Sequence, residues 1–420
     1  MVTDSLRQLA ARLEMPRGRR VIIALFAALA AAFTLIPVLR FLRSGTDMDY
    51  RTWFETAQAV LQHREIYPHA GAFPFMYPPT CAMLLTAVAL LGKPVMILIL
   101  ALLNTIAWIF CIKFSVALSS DQSPAFRTTI ALISNSIVLV FIWSSYHLGQ
   151  PSLLLLALML GAFICLRRDR EILGGALIAL AAAIKAFPFL AILYLLYRRY
   201  WLAAGSLILA LGLLIFVFPV PFRGFAQTMA DFRDWERGML RYEEGGIAQR
   251  PARSYSWKNQ SVWGLANRLL RHVSAEDEGK PVTYANFADL SFDAVNRVIA
   301  GVALFFGVSF VAVMPRVRRR DTDGLEFAAL LVLILIFTPL AFGYLFSWLM
   351  LPIAILIGGV LWRGDTKVAL PSLIAATILL AATAIAPRSA QIYGSVLLAA
   401  VALYTGVAIE LWRAKRPRPT

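Results

Sequence analysis

The feature that most restricts this chain is a succession of apolar runs, each at or near the roughly 20 residues a helix needs to cross a bilayer. They begin at Val21–Leu42 and recur almost to the basic tail after Arg413. With 60% hydrophobic residues, only 15% charged and a mean hydropathy of +0.71, the chain is too apolar for a water-soluble domain of 420 residues. No run alternates apolar and polar residues as barrel strands do, so helices span the membrane. The expected fold is all-α: a single integral membrane domain over residues 1–420 with about 12 or 13 transmembrane helices.

The net charge of +16 excludes less than it suggests. The basic residues fall in short clusters between apolar runs, the pattern that sets topology in a membrane protein. A nucleic-acid surface would need a basic groove interleaved with aromatics, which the sequence lacks, so no nucleic-acid partner is expected. The clusters also suit contact with membrane lipids of anionic headgroup. Cys81, Cys111 and Cys165 lie inside apolar runs and read as packing residues. His63, His69, His147 and His272 have neither the spacing nor the carboxylate company of a metal site, so no metal or cofactor is expected, although Asp47 and Asp49 form an Asp-x-Asp pair that leaves a divalent ion conceivable. Val21–Leu42 is too long for a cleaved signal peptide and reads as a retained anchor.

Arg7, Arg12, Arg17, Arg19 and Arg20 precede that anchor and make residues 1–20 a cytoplasmic tail. Residues 44–79 then form a first external loop, in which Asp49–Gln62 places Trp53, Ala57 and Val60 along one face of an interfacial helix. Arg167, Arg168 and Arg170, then Arg198 and Arg199, mark two returns to the cytoplasm. Ile172–Tyr197 between them is too long for one span, and its Phe187–Pro188 pair predicts a break, with Lys185 near the outer turn. Between Pro79 and Leu118 the residues look like two helices, whereas Lys113 and Arg127 favour an odd number of crossings; either a re-entrant helix resolves the conflict or the local topology differs from this reading. Residues 222–292 form a second, folded external loop, and residues 414–420 a cytoplasmic tail. Both loops then lie on one external face, the periplasmic side in a bacterial inner membrane.

Chemistry in an otherwise apolar chain is expected where polar residues are costly. A lysine at the bilayer centre costs about 2.5 to 3.5 kcal/mol. Lys185 therefore faces protein, a water-filled cavity or an anion, or else snorkels to the headgroups. Asp47 and Asp49 lie just outside the first helix, at the level where a lipid-linked substrate presents its head. In the long loop Arg250, Arg253, Lys258 and Arg268 bracket Tyr255 and Trp257, a mixture suited to holding phosphate and stacking on a sugar, and equally to an ordinary wet interface. His147 is placed to bond a sugar hydroxyl or to be satisfied at a helix end. Phe342, Tyr344, Phe346 and Trp348 suit a prenyl-chain groove or, more simply, an interfacial aromatic belt.

Several short motifs follow one another in a telling order: Asp49-Tyr-Arg-Thr-Trp-Phe-Glu-Thr-Ala-Gln-Ala, Ile66-Tyr67, Phe75-Met-Tyr77-Pro78-Pro79, Gly149-Gln150-Pro151, Ile184-Lys185-Ala186-Phe187-Pro188, and Lys258-Asn259-Gln260-Ser261 with Arg268. In this order they resemble the polyprenol-phosphate-mannose-dependent mannosyltransferases of the GT-C superfamily, of the glycosyltransferase family 87 type. The resemblance implies an enzyme that takes a sugar from a polyprenyl-phosphate donor and attaches it to a lipid or glycan acceptor outside the cytoplasm. It implies Asp49 as the catalytic carboxylate, with Asp47 as the alternative, and Tyr77, Gln150, Trp257, Asn259 and Gln260 beside the substrate. Lys185, Lys258 and Arg268 are the expected contacts to donor phosphate. This agrees with the chemistry of inverting transfer, which needs one base for the acceptor hydroxyl and cations for the departing phosphate. A secondary transporter would instead show paired broken helices in two repeats. A polyprenyl-linked glycan ligase or polymerase would share the long loop, and only the motif order argues against it.

Overall fold

A computed structural model describes residues 2–67, 75–119, 125–239, 255–277 and 279–415. The α-helices are, in chain order, α1 (Val2–Glu14), α2 (Pro16–Ser44), α3 (Tyr50–Leu61), α4 (Pro79–Ala89), α5 (Lys93–Ser119), α6 (Arg127–Leu148), α7 (Ser152–Arg167), α8 (Glu171–Ile184), α9 (Ala191–Tyr197) and α10 (Trp201–Gly212). After them come α11 (Val220–Arg223), α12 (Phe225–Met239), α13 (Val262–Leu270), α14 (Phe292–Val313), α15 (Asp323–Phe337), α16 (Met350–Gly358), α17 (Ala369–Ile385), α18 (Pro387–Ile392) and α19 (Ser395–Lys415). Seven described stretches are long and apolar enough to cross a membrane: α2, α5, α6, Trp201–Arg223, α14, Gly343–Arg363 and α19. Further apolar helices, α7 and α8 among them, are only 10–17 residues long. A count of hydrophobic runs is therefore larger than the count of full-length spans.

The chain divides into two compact units. One comprises Ala24–Phe114 and Ile142–Ala248. In it α8 packs between α7 and α10, and α3 packs on α4. Gly175 makes the α8–α10 approach possible, since a Cβ there would stand 2.1 Å from the Ala203 carbonyl oxygen. In the stretch of the crossing conflict noted above, α4 is short: its 11 residues rise only about 16 Å, half a hydrocarbon core, whereas α5 is long enough to span. The expected break is present too: α8 ends at Ile184, Lys185 is extended, and a short 3₁₀ turn over Phe187–Leu190 leads into α9. At the start of the second hydrophilic segment, helical backbone continues through Arg223. Arg223 and Asp231 then form a bidentate pair at 2.8 and 3.1 Å, with side chains only 1% and 2% exposed, which pins α12.

The other unit comprises Met1–Ile23, Ser115–Phe141 and Gln249–Thr420. Residues 1–20 are not a loose tail. α1 docks through Arg7, whose guanidinium donates to the carbonyls of Leu361 and Trp362, and through Glu14, which accepts from the Thr129 backbone N–H. The core is α15, the segment Gly343–Arg363, α17 and α19. Tyr344, Phe346 and Trp348 are buried in it. An interfacial aromatic belt is therefore not their role. Composition could not separate this packing from lipid contact, because both select large apolar rings.

Candidate active site

The first cluster of predicted residues assembles where α3 docks on the end of α6. Gly149 terminates α6 in a left-handed conformation (φ +78°), its N–H returning to Tyr146 and that of Gln150 to the Ser145 carbonyl at 2.8 Å. No other residue serves as well there, since a Cβ on Gly149 would lie 2.8 Å from the Tyr50 ring. Two side chains of α3 complete the joint. Tyr50 donates to the Tyr146 carbonyl and Trp53 to that of Gly149, each at 2.9 Å. Tyr50, Trp53, Ala57 and Val60 are all buried within the protein. Burial and the neighbouring Tyr146 push the Tyr50 phenol above its ordinary range, so it remains a donor.

Asp49 occupies the N-cap position of α3, where a carboxylate ordinarily accepts from the first backbone N–H groups. It makes no capping hydrogen bond. Its Oδ2 instead accepts from Gln150 Nε2 at 2.5 Å, and Gln150 Oε1 accepts from the Tyr77 hydroxyl at 2.7 Å. Gln150 and Tyr77 are 4% and 7% exposed. Both are held from behind: Asn104 donates to the Gln150 carbonyl at 3.1 Å and Tyr67 to the Tyr77 carbonyl at 2.7 Å. Burial first, and the Asp231 carboxylate second, keep the Tyr67 phenol well above its ordinary range. Lys185 reaches the same place from the helix break, its ammonium 5.3 Å from the centre of the Tyr77 ring and 5.9 Å from that of Phe187. It interacts electrostatically with Asp49 and with Cys81. One carboxylate, one ammonium, one amide and one phenol thus share a small polar site lined by Trp53, Phe75 and Phe187.

Asp47, the alternative carboxylate, has a different environment. It is 4% exposed, and its two oxygens meet Arg51 at 3.1 Å and Lys93 at 2.9 Å. With both oxygens turned to cations, Asp47 does not pair with Asp49 as an Asp-x-Asp metal ligand. His147 is likewise engaged. Arg40 donates to its Nδ1 and to its carbonyl, each at 2.8 Å, and since a guanidinium only donates, Nδ1 is the acceptor and the ring is neutral with its proton on Nε2. Sequence reasoning missed Arg40 and Asn104, whose positions depend on contacts far along the chain; Cys81 is buried, as a packing residue should be.

The second cluster belongs to the other unit and has a different character. Asn259 donates to the Pro339 carbonyl at 2.9 Å and accepts from the Ala341 N–H at 2.9 Å and the Ser261 N–H at 3.2 Å. Gln260 Nε2 donates to the carbonyls of Trp257 at 2.6 Å and Gln391 at 2.7 Å. Ser261 caps α13 by accepting from the Gly264 N–H. Arg268 is 0% exposed and spreads over backbone carbonyls: Ser256 and Asn259 at 2.7 Å, Ile392 and Gln391 at 3.3 Å, Tyr255 at 3.4 Å. Burial pushes its guanidinium down to about 9, so it is a cation at neutral pH. Asn259, Gln260 and Arg268 thus donate to backbone carbonyls, an arrangement that holds the loop together. Lys258 is half exposed, paired with Asp277 and set over the Trp257 ring at 5.6 Å. Arg250 and Arg253 lie outside the described residues, as does His69.

Three comparisons set the chain beside known proteins. No curated protein matches the chain. The chain is similar to the crystal structure of ArnT from Cupriavidus metallidurans bound to undecaprenyl phosphate, at 14% identity over 94% of this chain and 77% of that chain, with a TM-score of 0.43. The family model described as Glycosyltransferase family 87 matches residues 75–343, a stretch that holds Tyr77, Gln150, Lys185 and the Asn259–Arg268 knot and begins after Asp49. Since that match covers well over half of the sequence, the chain belongs to glycosyltransferase family 87.

Proposed function

We propose that this glycosyltransferase moves a sugar, mannose, from a polyprenyl-phosphate donor to a lipid or glycan acceptor, with inversion, and that Asp49 is the general base. The observation that carries the reading is the Asp49 carboxylate itself. It leaves the capping duty of its position undone and is held instead by Gln150, within electrostatic reach of Lys185. In the reaction an acceptor hydroxyl oxygen attacks the anomeric carbon while the bond from that carbon to the phosphate oxygen breaks. The hydroxyl proton passes to Asp49, and the bonding electrons leave with the polyprenyl phosphate. The departing phosphate gains charge, and Lys185 is the cation placed to meet it. Asp47, already committed to Arg51 and Lys93, acts as a structural acid.

The charge pattern supports the sidedness. Arginines ahead of α2 and after α7 set one face as cytoplasmic, which puts α3 and Asp49 on the opposite, periplasmic face of a bacterial inner membrane in cell-envelope glycan synthesis. The test is transfer by membranes containing the protein from radiolabelled polyprenyl-phosphate-mannose. Label in a lipid or glycan product supports the reading. Transfer from a nucleotide sugar, with none from any polyprenyl-phosphate sugar, refutes it.

A further inference from the structure

Base catalysis needs the carboxylate ionised and in one orientation, and a carboxylate in a flexible loop mouth has neither assured. We propose that Gln150 is the positioning residue that supplies both for Asp49, and that Tyr77 holds the Gln150 amide in the orientation the task requires. The proposal rests on Asp49 being the base.

The proton order follows from the chemistry of the groups. An ionised carboxylate only accepts, so the amide atom 2.5 Å from Asp49 Oδ2 is the NH₂ group. The amide oxygen therefore faces Tyr77, and the phenol must donate across the 2.7 Å contact. Each link has one direction, from Tyr77 through Gln150 to Asp49. Protonating Asp49 at Oδ2 would set donor against donor and break the chain, so the arrangement favours the charged acid. The backbone keeps the chain in place. Gln150 is fixed by its own N–H to Ser145, by Asn104 on its carbonyl and by the glycine turn before it, while Tyr77 is fixed by Tyr67. A glutamine serving only as packing would not need its amide aimed at the Asp49 carboxylate from a position 101 residues away.

The experiment is the pH dependence of kcat/KM for the full-length protein in lipid nanodiscs, using polyprenyl-phosphate-mannose as donor. Losing a charge-assisted hydrogen bond disfavours the carboxylate. Gln150→Ala is expected to move the acid limb of the profile upward by roughly one pH unit. Its plateau should fall about 10- to 100-fold through lost alignment, with donor KM little changed. Gln150→Glu sets a second carboxylate against the first and should move the limb further. Tyr77→Phe removes one hydroxyl and keeps the ring. It should move the limb the same way by a smaller amount, and it tests the idea even if Gln150 variants fail to fold. If folded variants lose rate with the acid limb unmoved, Gln150 and Tyr77 are packing residues and the proposal is overturned. Full activity in Asp49→Asn overturns the underlying assignment, whereas an inactive Asp49→Asn with unmoved limbs in the other variants overturns the positioning role alone.

Discussion

Replacing Arg268 with methionine separates the two meanings of a buried arginine in this enzyme. The side chain is 0% exposed and makes two short bonds, at 2.7 Å, to the carbonyls of Ser256 and Asn259, with three more at 3.3–3.4 Å. Each short, charge-assisted bond contributes about 1.5–3 kcal/mol, and the longer three are near the geometric limit and add little. Against this stands the relief of no longer burying a cation, so the net loss on Arg268→Met is about 3–5 kcal/mol, the range for removing one side of a buried polar arrangement. The apparent melting temperature in detergent, followed by tryptophan fluorescence, should fall by about 5–10 °C. Donor KM of the surviving folded enzyme should stay near wild type. Arg268→Lys should recover only part of the loss, because three ammonium donors cannot span five carbonyls. A variant that melts like the wild type yet shows a tenfold higher donor KM would refute this reasoning and return Arg268 to the phosphate.

Other perturbations discriminate in the same way. Asp47→Asn breaks two ion pairs of a buried carboxylate and should cost about 1–3 kcal/mol of stability, discounted because Arg51 is largely exposed. Its transfer rate at a permissive temperature should remain within about threefold of wild type, less than 1 kcal/mol of barrier. Gly149→Ala places a Cβ 2.8 Å from the Tyr50 ring at φ +78° and should cost about 2–4 kcal/mol, with activity falling further than the melting curve explains because Gln150 is displaced. Lys185→Met should lower transfer about 100-fold through the loss of one cation at the leaving phosphate, and an unchanged rate would leave it a structural lysine.

How far the site could be read from the sequence depended on whether a residue's partner was local. The α3 face of Trp53, Ala57 and Val60 is a helical period, and the break before Pro188 follows from one missing N–H, so both elements were legible. The crossing conflict around Pro79 was visible too, but the 11-residue length of α4 depends on the turn at Leu90–Gly92. Asp47 and Asp49 were indistinguishable because what separates them is Lys93 for one and Gln150 for the other. The same holds for Asn259, Gln260 and Arg268. Their residue types suit a phosphate or a sugar as well as a carbonyl, and only the return of the chain at Pro339–Ala341 and Gln391–Ile392 shows where their donors go.

The central claim, that Asp49 alone takes the acceptor proton, is tested most directly by single-turnover transfer from radiolabelled polyprenyl-phosphate-mannose in wild type, Asp49→Asn and Asp47→Asn, with donor binding measured alongside. The account predicts that Asp49→Asn binds donor with near-normal affinity but transfers at least about 100-fold more slowly, while Asp47→Asn, once folded, transfers nearly as fast as wild type. Normal transfer by Asp49→Asn, or a loss confined to Asp47→Asn, would contradict it.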